Sequence, residues 1–387
     1  MTAENGPALL SVLRDQRQRI IDFLHDLTVL ESPSSSADSL RLASGALATH
    51  FEDIDYHTIR AGSLHLYARP RRRIRRQPIQ LLLGHYDTVW PLGTLHDMPF
   101  EVDENIIRGP GVFDMKGGLA QIVFALEALQ TLGLEPPLTP VVFINADEEI
   151  GSRTSSRYIQ MLALHAQRAY IMEPSLGPEG KLKTRRKGIG RYTVTVFGKA
   201  AHAGLDPTGG ASAILELSFQ IQQLFALNDI ERGISVNVGT IDGGVRPNVI
   251  APNSKAVIDV RVATAEDAKH IDDAIRNLTP KTPGVRIHTE GGIGRPALEH
   301  TPRNHALLQM AQRLGASIGL DIDEGMAGGG SDGNTTSLYT ATLDGLGPVG
   351  DGAHARHEFL DIDKTIERTA LLALLIQAGL DSHGIGK

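Results

Sequence analysis

Cysteine is absent from the 387 residues, which removes disulfide staples, thiolate metal ligands and thiol nucleophiles together. No run of about eighteen apolar residues occurs, so no segment is suited to span a membrane. The opening Met1-Thr2-Ala3-Glu4-Asn5-Gly6 leads into Arg14, Asp15, Arg17 and Arg19. It lacks the apolar stretch of a secretory signal. Basic charge is not in excess either. Lys and Arg number 38 against 45 Asp and Glu, a net charge of -7, which disfavours nucleic acid as the main partner. Hydrophobic content of 41% and charged content of 21% are ordinary for a globular protein. The length admits one large or two ordinary domains with a sizeable core. These exclusions leave a cytoplasmic enzyme as the simplest expectation.

Apolar residues recur at helical spacing from Leu9 to Leu30, predicting a first amphipathic helix. A second helix is expected over 39–49, then short strands over 63–68 and 79–83. A helix over 116–132, a strand over the apolar run 140–146, a helix over 153–164 and a short buried strand over 169–172 follow. Such alternation implies an α/β sheet covered by helices on both faces. The texture changes near Lys187. Alternating segments at 192–197, 233–240 and 255–262, with helices at 211–227 and 264–278, predict an α+β domain inserted at 187–297. The parts on either side, 1–186 and 298–387, would form one catalytic domain ending in a helix over 363–380. The run Arg69-Pro70-Arg71-Arg72-Arg73-Ile74-Arg75-Arg76 is expected to be a solvated hairpin loop, with a phosphate or nucleic-acid role as the alternative.

Five potential metal ligands stand in separate places, each beside an apolar, strand-like stretch: His85, Asp114, Glu149, Glu173 and His354. Two imidazoles and three carboxylates suit a pair of borderline-hard divalent ions, with one carboxylate shared. Each ion would then keep an open position, the arrangement of a two-metal hydrolase. His85 and Asp87 are two apart, so both can project to one side, although a core His satisfied by an Asp would look the same. Asp114 sits between Arg108-Gly109-Pro110-Gly111 and Met115-Lys116-Gly117-Gly118. It could be a bridging ligand or simply a helix cap. Glu148 and Glu149 should point to opposite sides of an extended segment, so one can ligate while the other acts as base. His354 has a competitor in His357.

Together these segments resemble the aminoacylase and carboxypeptidase G superfamily of co-catalytic zinc hydrolases, most nearly its glutamate carboxypeptidase branch. The likeness runs through Gly84-His85-Tyr86-Asp87-Thr88-Val89, Asp114-Met115-Lys116-Gly117-Gly118, Asp147-Glu148-Glu149-Ile150-Gly151-Ser152, Glu173-Pro174-Ser175, Gly198-Lys199-Ala200-Ala201-His202-Ala203-Gly204 and Gly328-Gly329-Gly330-Ser331-Asp332. The resemblance implies a zinc-exopeptidase-like mixed sheet and a ferredoxin-like inserted lid through which the chain would form a homodimer. It makes Asp114 the bridge, with His85 and Glu173 on one Zn2+ and Glu149 and His354 on the other, Co2+ or Mn2+ being possible substitutes. Glu148 becomes the general base, Asp87 the clamp on His85, and His202 the oxyanion donor. A cis peptide is implied after Asp114. Asn248, Arg261, Arg295 and Lys181 match positions on the substrate side. The last motif departs from the family pattern in having His357 directly before Glu358, while His354 keeps the family spacing to that Glu. The implied substrate is an N-acyl amino acid or short peptide with a free carboxylate. A deacylase or an aminopeptidase is the enzymatic alternative. An inactive metal-binding dimer scaffold is the alternative of another class, and it would lack Glu148 or a ligand, none of which is missing.

Overall fold

The computed structural model describes residues 2–72 and 74–379 and separates into two compact units. The larger comprises 1–184, 300–326 and 331–387, and the smaller comprises 185–299 with 327–330. Leu380, where the last helix was expected to end, and Arg73 of the basic run lie outside the described residues. Among the described residues no helix is long and apolar enough to cross a membrane.

The larger unit is built on a six-stranded mixed sheet. Its strands run in the order Tyr56–Ala61, His65–Pro70, Thr139–Asn145, Ile79–His85, Ala166–Ile171, Ala341–Leu343. The last four are mutually parallel and the first two antiparallel to their neighbours. Side chains alternate between two cores: Leu82, Val142 and Tyr170 enter the main one, while Leu81, Leu83, Val141, Phe143 and Ile171 face a smaller one. Both faces are therefore covered, which is why these strands read as continuous apolar runs. Helix Gly117–Thr131 is buried almost all round and packs on the last helix, Ile362–Gln377, and on Gly6–Asp15. Buried Arg168 ends that last helix by donating to the carbonyls of Leu375 and Ala378 and to Gln80 Oε1.

Three sequence expectations need correction. The first helix is two, Gly6–Asp15 and Arg17–Val29, interrupted at Gln16, although Leu9, Leu13, Ile20, Leu24 and Leu27 are all buried. An edge strand, Tyr56–Ala61, is added; only Tyr56 is buried and the exposed positions mix polar His57 and Arg60 with Ile59, which hides the apolar signal. The basic run is not a hairpin loop. Strand Thr139–Asn145 lies between His65–Pro70 and Ile79–His85, so the run reverses the chain direction across an intervening strand instead of closing a hairpin. Its described arginines are solvated from Arg71 onward, and Arg71 pairs with Asp55 at 3.6 Å.

The smaller unit runs strand Gly188–Phe197, helix Ala213–Phe225, strands Ser235–Gly243 and Asn253–Val262, helix Ala265–Arg276 and strand Arg286–Arg295. These strands lie in the spatial order second, third, first, fourth, all neighbours antiparallel. This is the βαββαβ, ferredoxin-like arrangement. Val194, Val196, Ile258 and Val260 bury one sheet face with Leu217, Leu224, Ile271 and Ile275 of the helices. Strand Arg286–Arg295, too polar and glycine-rich to stand out in the sequence, completes it.

Candidate metal and catalytic centre

Parallel strands Thr139–Asn145, Ile79–His85 and Ala166–Ile171 end on the same side of the sheet, with His85 opposite Asn145 and Leu83 opposite Ile171. Their carboxyl ends deliver His85 in the centre, Asp147-Glu148-Glu149 on one flank and Glu173 on the other. Such ends are where α/β sheets place their sites.

Asp114 arrives from elsewhere. Its peptide bond to Met115 is cis, and it does not cap the following helix, whose N-cap position is Lys116. Gly111 holds φ +79, and a Cβ there would lie 2.7 Å from the Thr88 methyl. At Gly118 a Cβ would collide with the Met172 carbonyl oxygen, so only glycine lets this helix start press against the strand end that carries Glu173.

One carboxylate organises this loop, and sequence reasoning gave it no role. Glu358 is buried, and its Oε1 accepts from the backbone N–H groups of Phe113 and Asp114, both at 3.0 Å. Its Oε2 accepts from Gly111 N at 2.9 Å and Trp90 Nε1 at 2.8 Å. A small sheet sets up the contact by pairing Phe359, the next residue, with Arg108 at the start of the loop. Burial pushes the Glu358 carboxyl up to about 7 despite these donors. The available signal was a Glu directly before a short apolar strand.

The five ligand candidates converge as two sets sharing Asp114, His85–Asp114–Glu173 and Asp114–Glu149–His354, each with donor atoms within 4.8 Å of one another. His85 Nε2 lies 3.3 Å from Asp114 Oδ1 and 3.6 Å from Glu173 Oε1. His354 Nε2 lies 3.5 Å from Asp114 Oδ2 and 3.1 Å from Glu149 Oε2. The two oxygens of Asp114 thus face different imidazoles. His354, not His357, makes these contacts, with φ +62 after Gly352 at φ +83.

The charges are as unusual as the geometry. Burial opposes a charged His85 ring, yet Asp114, Asp87 and Glu173 hold its pKa well above the ordinary value. The hydrogen bond to Glu149 holds His354 at about 9, and burial pushes Glu149 up. Partly buried carboxylates therefore demand positive charge at this point. Glu149 Oε1 is buried with no hydrogen-bond partner, an acceptor that a cation would satisfy. Two imidazoles, three carboxylates and that orphaned oxygen fit a pair of borderline divalent ions.

Asp87 does more than clamp His85. The ring's Nδ1 is 2.9 Å from the Asp87 carbonyl oxygen and 3.5 Å from its carboxylate, so the backbone oxygen is the acceptor that fixes the imidazole. The carboxylate accepts instead from Ser34 Oγ at 2.7 Å and from the N–H groups of Glu148 and Glu149, both at 3.2 Å. Asp147 pins the same turn from behind, accepting from Thr154 N and Oγ1 at 2.7 Å. Burial raises its pKa, but the bonds from Ser155 and Thr154 outweigh that and leave it lowered. Asn145 Nδ2 and Ser152 Oγ donate to buried Asp332 of the glycine-rich motif.

In the smaller unit, His202 is exposed, and its Nδ1 accepts from Gly204 N and Leu205 N, both at 3.1 Å. The neutral ring must then carry its proton on Nε2, as a donor. Asn248 is exposed beside it, its carbonyl accepting from Ala203 N. Arg295 is half-buried at the end of its strand. Two expected substrate cations are already matched. Arg261 makes two bonds to Asp259, at 2.8 and 3.1 Å, and Lys181 lies 2.7 Å from Asp323 and 3.6 Å from Glu179.

Comparison with known proteins places this geometry. Carboxypeptidase G2 of Pseudomonas sp. is 28% identical over 383 residues, covering 95% of this chain and 91% of that protein. The fold is similar to aminopeptidase PepT from Bacillus cereus, with TM-score 0.75 at 19% identity over 93% of this chain and 98% of that one. It is also similar to the Bacillus subtilis YXEP protein, described as a dinuclear metal-binding peptidase, with TM-score 0.70 at 14% identity over 94% and 98% of the two chains. Residues 81–378 match the profile of the peptidase family M20/M25/M40. The chain is a member of that metallopeptidase family.

Proposed function

We propose that this hydrolase is a carboxypeptidase dependent on two co-catalytic divalent ions, zinc first among them, that releases the C-terminal residue of an N-acyl amino acid or small peptide. The observation that carries the reading is the carboxylate of Asp114, one oxygen toward His85 and the other toward His354. His85 and Glu173 would complete one ion's ligands, and Glu149 and His354 the other's. Such a pair, when bound, supplies a water acidified toward neutrality and a polarised scissile carbonyl.

The chain's own residues do the rest. Glu148, its N–H held by Asp87, takes the proton of the attacking water and returns it to the leaving amine. His202 carries its proton on Nε2, the form needed to donate to the oxyanion that develops on the amide carbonyl. Arg295, Asn248 and Arg261 are assigned to the substrate's free carboxylate, with Lys181 on the substrate side; before substrate binds, Arg261 pairs with Asp259 and Lys181 with Asp323. An acidic C-terminal residue is the first substrate to try, supported by the likeness to carboxypeptidase G2 along nearly the whole chain. The inserted unit is assigned to dimerisation.

A hydrolysis screen of N-acyl amino acids and dipeptides with varied C-terminal residues, with and without chelator, tests this. Chelator-sensitive release that stops when the α-carboxylate is amidated is expected. Cleavage indifferent to amidation would mean an aminopeptidase, and no chelator-sensitive cleavage would overturn the hydrolase mechanism.

A further inference from the structure

Away from the shared cluster, one more set of side chains in the larger unit converges: His300, His305 and Glu324, with donor atoms all within 4.8 Å of one another. His300 stands just before helix Pro302–Ala316, His305 is in that helix, and Glu324 opens strand Glu324–Ala327. His305 Nδ1 lies 3.1 Å from His300 Nε2, which in turn lies 3.4 Å from Glu324 Oε2. The rings meet nitrogen to nitrogen beside a carboxylate, an acceptor-rich point that asks for a cation.

Two outer side chains contact these donors. The Gln309 side-chain amide is 3.0 Å from His305 Nε2. As placed, the amide nitrogen Nε2 faces the ring and donates to it; a half-turn of the amide brings its oxygen to His305 Nε2, moves the ring N–H there and frees the Nδ1 lone pair for an ion. The Thr184 hydroxyl donates to the Glu324 carboxylate. Outer partners of this kind orient metal-binding imidazoles and carboxylates. The side chains of His300 and Glu324 remain 35% and 27% exposed, so an ion can enter from solvent.

We propose that His300, His305 and Glu324 form an additional, mononuclear site for a borderline divalent ion such as Zn2+, Co2+ or Ni2+. Two imidazole nitrogens and one carboxylate oxygen suit those ions, with water completing the shell. Mg2+ and Ca2+, which need more oxygen donors, are not expected to bind. The position suggests its use. Thr184 is the last residue before the chain leaves the larger unit, His300 the first on its return, and Glu324 lies just before the second departure after Met326. An ion there ties these three crossings to one another, a structural role separate from hydrolysis.

Equilibrium dialysis of the full chain against Zn2+, with bound metal counted by atomic absorption, tests the site. His305→Asn and, separately, exposed His300→Asn should each hold about one ion fewer per chain than wild type. Gln309→Leu should keep the ion but bind it about tenfold more weakly. The readout is the difference between proteins, so it holds whatever the Asp114 centre contains. Near-UV circular dichroism checks that each variant is folded. Equal zinc content in wild type and both folded histidine variants would overturn the proposal, as would an equal loss of bound Mg2+.

Discussion

Replacing Glu358 by Gln tests whether the Asp114 loop is shaped by one buried carboxylate. The native side chain accepts four N–H groups, two on each oxygen. Glutamine keeps one oxygen and turns an NH2 toward the other two donors. Those two buried N–H groups lose their acceptor, at about 1–3 kcal/mol each, or roughly 2–6 kcal/mol in all. The cost falls on the loop that presents Asp114, so it should appear in metal affinity rather than in a global unfolding midpoint. At about 1.4 kcal/mol per factor of ten, even the lower figure weakens binding about thirtyfold. Titration with Zn2+ monitored by calorimetry measures it, with chelator-sensitive hydrolysis as the second readout. A Glu358→Gln protein with wild-type affinity and turnover would refute the clamp.

Asp87→Ala should free the backbone of Glu148 and Glu149 and lower turnover by about 10- to 100-fold; a steady-state rate unchanged from wild type would show that the turn holds itself. In the inserted unit, buried Glu216 accepts from the N–H groups of Lys281 and Thr282 and from Gln220 Nε2. Burial raises its pKa, but these bonds outweigh it and leave the folded-state value below the ordinary 4.5. Its contribution is therefore present above about 4.5 and lost as pH falls through the lowered folded value. The stability gap between wild type and Glu216→Gln, followed by urea denaturation, should be widest near neutral pH and shrink in acid. A gap independent of pH would remove Glu216 as its source.

Local sequence carried much of the ligand-candidate set because His85, Glu149 and Glu173 follow or end apolar strands, while Asp114 and His354 lie in glycine-rich loops. An apolar run stopped by His85, by Asp147-Glu148-Glu149 or by Glu173 shows both the buried strand and the polar edge. The inserted unit showed itself through alternating residues, although Arg286–Arg295 buries too few apolar side chains to be recognised. What local pattern could not supply was pairing over distance. Glu358 meets Asp114 across 244 residues, and nothing in either segment names the other. The same limit hid strand Thr139–Asn145 sliding between the two strands that flank the basic run. Charge matching was equally out of reach, since Asp323 reaches Lys181 only through the fold.

If Glu148 is the general base, it is the residue that makes the metal cluster a catalyst. Bound metal and turnover measured together on Glu148→Gln test it most directly. The variant should keep the wild-type metal content and lose nearly all turnover; full metal content with activity retained would remove Glu148 as the base.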